Sequence, residues 1–506
     1  MAVSRGDRFG FTQARVTTSK RLMARPALPR FVRAGDSFEA GVVVSKKAMG
    51  AGKVRVTAAF TGLTASVPLS RELEVPQDGS REVRFAVQAP HPGSATLRFD
   101  VEGGEERDSV LRSLTVALPM APEATAIYGQ TGGAQREMLG NLSAARADAG
   151  SLSVSLSSTA LVGVDQTALD LIDYPYSCTE QLSSKILPLV GLGELGTALG
   201  FALPADARQR ATAAVNEVLA RQGGDGGFGM WPESSRSEEW VSAYATLALW
   251  RAARAGIVVP KHALDGARDY LRAVVQRMER DRPELLPAAA LSLDVLGELG
   301  APDPGSINRL YERRAELPSF GKALLLHAAL SAKLASDVPK ELRRDLEAKL
   351  HVDGARAVSE DDTAGKYAAI FASPARSQAL VLRALAAGGK HPLLGGLVRG
   401  LLDARRQGKF RTTQESAWAL LALDDYRRVA ESEPAHFDAS FSLGSAELGQ
   451  ASFAAASPLS RRFELPLGKL LERGGEPLRF EKQGSGTLFY EARLRYVRRE
   501  LPRAPL

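Results

Sequence analysis

The chain of 506 residues contains one cysteine. That excludes an intrachain disulfide framework and a cysteine-based zinc site. Long apolar runs are also missing. The stretches at 186–193 and 285–291 stop well short of the roughly 18 consecutive apolar residues a membrane helix needs. Aromatic residues make up only 6%, and the 65 Lys and Arg are interspersed with 58 Asp and Glu, as at 268–272 and 341–347. The net charge of +7 therefore gathers into no basic face with aromatics for stacking, so nucleic acid is not an expected partner. The opening Met1-Ala-Val-Ser-Arg-Gly-Asp lacks the basic-then-apolar order of a secretion signal. His262, His327 and His351 show no metal-ligand spacing, and no metal or other cofactor is expected.

What is present is a soluble globular composition, 44% hydrophobic and 24% charged, at a length that calls for two to four domains. The first hundred or so residues read as strands. Val83-Arg-Phe-Ala-Val-Gln and Leu97-Arg-Phe-Asp-Val-Glu alternate apolar and polar, as a half-buried sheet requires. Turn residues at 50–52, 76–79, 91–93 and 103–104 separate the runs, which predicts a β-sandwich of about 90 residues starting near Arg25. The segment from Phe9 to Val16 reads as a closing strand of an earlier domain. A second β-rich stretch follows, with its clearest strand at 151–158.

From about Leu161 to Tyr426 the pattern changes to Ala and Leu at helical spacing. A theme recurs there: a glycine-bearing turn, Ser or Thr, then an Ala/Leu helix. It appears at 223–249, at 408–423 and, more weakly, at 377–385. Hairpins of this kind cannot bury an apolar face alone, so they stack, either as a solenoid or as a closed α/α toroid. The small number of degenerate repeats favours the toroid. Strands return after Glu431, at 437–443, 462–467 and 488–497. They are too few for a sheet domain of their own. Pairing them with the strands before the helices makes the helical part an insertion in one β-domain. The final 498–506 reads as a linker, and both ends read as cut.

A lone cysteine is most often a small, inert, buried apolar residue. The surroundings of Cys178, Asp173-Tyr-Pro-Tyr-Ser-Cys-Thr-Glu-Gln181, point elsewhere. Pro175 breaks any upstream helix, and residues from Thr179 to Leu187 form helix until Pro188 interrupts, so Cys178 belongs at a helix N-terminus. There the macrodipole favours thiolate, and free N–H groups can stabilise developing negative charge. Gln181 lies one turn on, on the same face. A thiolate so placed can attack the glutamine carbonyl and expel ammonia, leaving a thioester. Such a bond is an electrophile and survives only without water, which Tyr174 and Tyr176 could exclude.

The sequence Tyr174-Pro175-Tyr176-x-Cys178-x-Glu180-Gln181 resembles the thioester motif of the bacterial alpha-2-macroglobulins. So do Leu28-Pro-Arg-Phe-Val-Arg-Ala-Gly-Asp36, like the segment opening their macroglobulin-like domain, and Thr413-Gln-Glu-Ser-Ala-Trp-Ala-Leu420, like a helix late in their toroid. The resemblance spans essentially the whole chain. It implies the end of one macroglobulin-like domain at 1–23, a macroglobulin-like β-sandwich at 24–113, and a CUB-like domain split between 114–162 and 431–500. Inserted between those halves it implies an all-α α/α-toroid thioester domain at 163–430.

The function implied is that of a protease trap. A protease cuts a bait region, the protein rearranges, and the thioester acylates a lysine amine of the protease. Cys178 becomes a free thiol and Gln181 the acyl donor, while Tyr174 shields the bond with a residue of a C-terminal domain. Bait region, earlier macroglobulin domains and that C-terminal domain are expected in the parent chain outside these residues. A lipid anchor on the parent and a periplasmic, cell-envelope or extracellular location are compatible with the family. Some relatives carry a histidine about a hundred residues past the cysteine that directs reaction to hydroxyls; here 280–286 has none, so amines are expected to attack directly.

Rival readings are a surface cross-linking or adhesion protein using the same bond, a structural protein with a dead motif, and a toroid enzyme of the terpene cyclase or prenyltransferase type. The last needs an acidic cluster or a zinc site, and the pairs at 361–362 and 424–425 look isolated. The glycines of 223–229 precede no Gly-Lys-Ser/Thr, so a tight inter-helix turn is expected there, not a phosphate loop. Trp231, Trp240, Trp250 and Trp418 are expected to pack hairpins together, and His327, in an apolar run, to be a satisfied core histidine.

Overall fold

The computed structural model describes residues 2–3, 9–10, 19–118, 122–140, 142–191, 199, 203–234, 236–277, 283–360, 365–406, 409–431, 435–454, 459–472 and 476–498. Most of the segment assigned to an earlier domain, and the terminal linker from 499, lie outside them; Ala2–Val3 and Phe9–Gly10 form a short antiparallel pair. The chain divides into two units, between Ala121 and Pro122.

The first unit is two facing sheets. Strands β1 (Leu22–Ala27), β3 (Ser37–Lys46), β7 (Ser80–Gln88) and β5 (Thr64–Ala65) form one. Strands β2 (Val32–Arg33), β9 (Glu106–Ala117), β8 (Gly93–Gly103), β4 (Gly52–Thr61) and β6 (Ser70–Val75) form the other. The period-2 pattern fixes the register. Val83, Phe85 and Val87 point inward from one sheet, and Leu97, Phe99 and Val101 from the other. Phe85 and Phe99 meet with ring centroids 6.0 Å apart. The first strand begins at Leu22, three residues before the expected start, because Leu22 itself is buried. In the turn after β2, Gly35 has φ 94° and Asp36 accepts a hydrogen bond from the Arg33 N–H at 2.8 Å, so this Gly-Asp pair closes the chain reversal.

In the second unit, strands from before the helices pair with strands from after them. β10 (Pro122–Thr131) and β12 (Ala145–Ser157) both flank β19 (Leu488–Arg498), and β17 (Ser460–Pro466) extends that sheet beyond β12. β11 (Ala134–Glu137), β18 (Leu478–Ser485), β15 (His436–Leu443) and β16 (Ala446–Phe453) make the facing sheet. The two share a core that includes Val154, Phe441, Phe480 and Tyr490. The helical segment is thus inserted between strands of one β-structure. Ala160 N–H donates to the Glu431 carboxylate at 2.8 Å, so the chain leaves the strands and returns to them at one place.

The inserted helices form two tiers. The inner tier is α2 (Thr179–Gly191), α4 (Glu239–Arg254), α6 (Leu286–Glu298), α8 (Ser319–Ser331), α10 (Pro374–Ala387) and α12 (Thr413–Ala430). Each packs on the next, and α12 packs back on α2, which closes a ring. α1 (Val164–Ile172), α3 (Ala207–Leu219), α5 (Lys261–Arg277), α7 (Pro304–Glu312), α9 (Val338–Glu347) and α11 (Leu394–Asp403) pack outside it, and a short hairpin of β13 (Leu350–Asp353) and β14 (Arg356–Ser359) lies between α9 and α10 in the chain. The residue pattern explains the tiers. α6 and most of α10 and α12 are buried all round and rich in Ala and Leu, whereas α9 buries only Val338, Leu342 and Leu346 along one stripe. α2 does not stop at Pro188 but runs through it to Gly191. One missing N–H is tolerated because Ile186, Leu187 and Leu189 stay buried around it.

Candidate functional site

Cys178 is the N-cap of α2. Its carbonyl accepts the first intrahelical bond, from Leu182 N–H at 2.9 Å. Its own N–H donates to the Gln181 side-chain oxygen at 3.0 Å. This is the backward half of a capping box, with cysteine standing where serine or threonine is usual. The Cys-x-x-Gln spacing at a helix start therefore folds the glutamine carboxamide back over the residue bearing the thiol. A hydrogen bond to the carboxamide oxygen also withdraws electrons from its carbon. Cys178 is 5% exposed and Gln181 half-buried.

Burial pushes the Cys178 thiol above its usual pKa, and hydrogen bonding from the Gln181 backbone N–H offsets this only in part. The helix terminus alone would favour thiolate, but desolvation wins here.

The turn is held from two sides. On one, Thr179 N–H donates to Met230 C=O at 3.0 Å, and Thr179 Oγ1 donates to Gly229 C=O at 2.5 Å, with Arg221 Nη1 3.3 Å from Oγ1. The glycine-rich turn between α3 and α4 is what delivers residues 229–231 to this place. Gly226 has φ 86°, and a Cβ there would meet Gly266 O at 2.2 Å. The sequence marked this turn as a connector; its second role rests on backbone contacts that leave no side-chain signature.

On the other side Glu180 points into the ring, 3% exposed. Its carboxylate accepts from Ser184 Oγ at 2.7 Å, from Thr413 Oγ1 at 2.9 Å and from Gln414 Nε2 at 3.2 Å. Burial raises the Glu180 carboxyl above the usual carboxylate range, and those three donors pull it part of the way back.

Tyr174 is half-buried and Pro175 exposed in the lead-in. Tyr176 is 65% exposed, its ring edge-on to Tyr174 at 5.8 Å between centroids. Lys185 Nζ donates to the Tyr174 carbonyl at 3.1 Å and ties the lead-in to α2. Trp231 is 54% exposed beside this turn, so it does not pack a hairpin as expected. Trp240 and Trp418 are buried, the former edge-on to Phe320 and the latter against Tyr244. Three aromatic residues near Cys178 in the chain or beside the 229–231 turn, Tyr174, Tyr176 and Trp231, are thus exposed or partly so, while Cys178 itself is buried. Tyr174 lines a cleft of about 320 Å³, together with Asp173, Pro175, Phe410, Arg411 and Thr412, among others.

Deeper in the ring, toward the C-terminal ends of the inner helices, Arg383 pairs with Asp294 (2.8 Å), Asp425 (3.1 Å) and Glu298. His327 Nδ1 lies 2.5 Å from Asp294 Oδ1. His327 is satisfied as expected, but by an ionic cluster. Asp425 is no isolated acid; residues 361–362 lie outside the described residues, as do 280–282. Among the described residues no His, Cys, Asp and Glu group could hold a metal ion, and no helix is long and apolar enough to cross a membrane.

Residues 1–58 match the model of the Alpha-2-macroglobulin family. An alpha-2-macroglobulin homolog of Nostoc sp. is 26% identical over 504 residues, covering 96% of this chain and 26% of that protein. Native alpha-2-macroglobulin of Escherichia coli, in a crystal structure from domain MG7 to the C-terminus, superposes with a TM-score of 0.61 at 18% identity. It covers 95% of this chain and 75% of that one. Salmonella alpha-2-macroglobulin reacted with methylamine gives 0.60 at 19%, covering 96% and 31%. At such identities the structural likeness speaks to fold. The chain spans about a quarter of the length of the Nostoc relative.

Proposed function

The chain belongs to the bacterial alpha-2-macroglobulin family, and from that premise we propose that it carries the covalent capture centre of a protease trap. The centre is a single-use thioester between Cys178 and Gln181. The observation that carries the reading is the helix start that folds the Gln181 carboxamide onto the cysteine, its oxygen 3.0 Å from the Cys178 N–H. Sulfur adds to the carboxamide carbon, the oxygen's negative charge is met by that N–H, and ammonia departs with the thiol proton. Burial serves the product as much as the reactant, since a thioester at this position is kept from water.

Capture reverses the polarity of the site. An amine of the target adds to the acyl carbon of residue 181, an amide forms, and the thiol of Cys178 leaves with the amine's proton. Lysine amines of an attacking protease are the natural reactants. No residue is regenerated, so the chain is an inhibitor and not an enzyme. In this reading the ring of helices is an α/α-toroid thioester domain. The split β-structure around it is the CUB-like domain, and the first unit is a macroglobulin-like domain. Tyr174 and Tyr176 shield the bond together with parts of a parent protein that also supplies the bait, in the periplasm or cell envelope.

Intact mass tests this directly. The chain is expected to weigh less than its sequence by one ammonia, and methylamine is expected to add whole to residue 181, leaving the chain heavier than its sequence by one methylene. Methylamine is the amine with which the Salmonella relative has been reacted. Cys178→Ser should abolish both the deficit and the labelling. Glycerol should label far less than methylamine; preferential glycerol uptake would sink the assignment of amines as reactants.

A further inference from the structure

Two of the three donors on Glu180, Gln414 and Ser184, are parts of one circuit that crosses three inner helices, and Thr413 adds a third bond to the same carboxylate. Gln414 Nε2 donates to Glu180, and Trp418 Nε1 donates to Gln414 Oε1 at 2.9 Å. The Trp418 ring packs on Tyr244 with centroids 5.7 Å apart. Tyr244 OH lies 2.9 Å from Ser184 Oγ, whose own proton goes to Glu180 at 2.7 Å, so the tyrosine is the donor between them. The circuit leaves α2 at Glu180, passes through α12 and α4, and returns to α2 at Ser184. Every side chain in it is buried.

Its position is the seam where the last inner helix meets the first. Thr412, not Thr413, caps α12, its Oγ1 accepting from Glu415 N–H at 3.2 Å. That leaves the Thr413 hydroxyl free to reach across to Glu180. The carboxylate consequently sits in the first turn of two helices at once, its own and α12, where both sets of backbone dipoles favour negative charge. Glu180 lies between Cys178 and Gln181 in sequence. Fixing its side chain on the inner side of α2 fixes the rotation of that first turn, and with it which way the Gln181 carboxamide faces.

We propose that Thr413 and Gln414 are positioning residues for the Cys178–Gln181 pair: through the Glu180 carboxylate they lock the first turn of α2 across the seam that closes the helix ring. This rests on the thioester reading above. It makes bond formation conditional on ring closure: a chain whose last inner helix has not docked keeps a free thiol and an intact glutamine.

The test measures the fraction of purified, folded chain that carries the ammonia deficit, together with its melting temperature. Thr413→Val and Gln414→Leu should cut that fraction about tenfold, the factor carried by one hydrogen bond to a charged group. Their far-UV spectra should remain those of the unaltered chain. Leu423→Ala, a fully buried residue on the same helix outside the circuit, should lower the melting temperature and leave the fraction unchanged. Should Gln414→Leu fail to fold, Thr413→Val, which exchanges one hydroxyl for a methyl, decides. A deficit in the unaltered chain that persists in Thr413→Val overturns the positioning role and leaves the thioester standing. Absence of any deficit or methylamine label in the unaltered chain overturns both.

Discussion

At the scale of single residues, the site depends on helix-start chemistry that any sequence can use. A glutamine at the third helical position reaching back to the N-cap N–H is an ordinary cap. A cysteine in the N-cap position turns that cap into a pair of reactants. The same economy governs Gly226, whose φ of 86° and contact with Gly266 leave no room for a side chain. Gly226→Ala is expected to cost more than about 1 kcal/mol from the conformation alone. It should also displace the 229–231 backbone from Thr179. Thermal denaturation would read the first effect, and faster loss of the ammonia deficit in water the second. A variant as stable and as slow to hydrolyse as the unaltered chain would show that the glycine turn is only a connector.

At the scale of elements, the inner helices carry two polar layers. The layer near their N-termini holds Glu180, and the layer near their C-termini is built on Arg383. Arg383 is 2% exposed in its side chain and faces Asp294, Glu298 and Asp425 from two other inner helices. Arg383→Met removes the one cation shared by all three and should destabilise the fold by about 3–5 kcal/mol, the cost of stranding buried charge. Chemical denaturation would measure it, and a loss below 1 kcal/mol would refute the stranded-charge account. The same cluster sets an acid limit. Burial pushes the Asp294 carboxyl up, but His327 and Arg383 pull it down further, to about 2 from 3.8. A depressed carboxylate contributes stability that is fully present above pH 3.8 and drains away as pH falls toward 2. Unfolding measured between pH 5 and pH 2 should show that loss, and Asp294→Asn should flatten it.

At the scale of the whole molecule, the insertion of the helices into a β-structure has a mechanical consequence. β10 and β12 are not partners of each other; both hydrogen-bond to β19, which follows the helices by more than fifty residues. β19 is buried on both faces. Tyr490, Ala492 and Leu494 face the second sheet. On the opposite face Glu491 and Arg493 pair at 2.6 Å, and Tyr128 OH donates to Glu491 at 3.0 Å. Arg405, from just past α11, lies 3.7 Å from the Tyr128 ring centroid. A chain of residues 159–431 should keep its helical circular dichroism and melt cooperatively, because its core is nearly all its own. A chain of residues 122–430 should have the 122–157 region cleaved rapidly by protease. Protection there would mean that β10 and β12 hold together without β19.

The periodicities alone determined the element types: alternation in 83–88 and 97–102 reads as half-buried strand, and Ala and Leu at helical spacing from 161 to 426 read as helix. They also placed Cys178 at a helix start, since Pro175 and the helix formers after Thr179 act within a few residues. The sequence did not reveal what holds that start in place. Glu180 is legible in the sequence only as one letter of the motif, and only the closing of the ring brought Thr413 and Gln414, more than two hundred residues away, onto it. Trp231 and Asp425 were misjudged for the same reason: local pattern records what a residue can do, while burial and partners are decided by segments distant in sequence. The thiol's protonation followed suit. A helix terminus is a local feature and favours thiolate, but desolvation is imposed by everything packed around it, and here it is the larger effect.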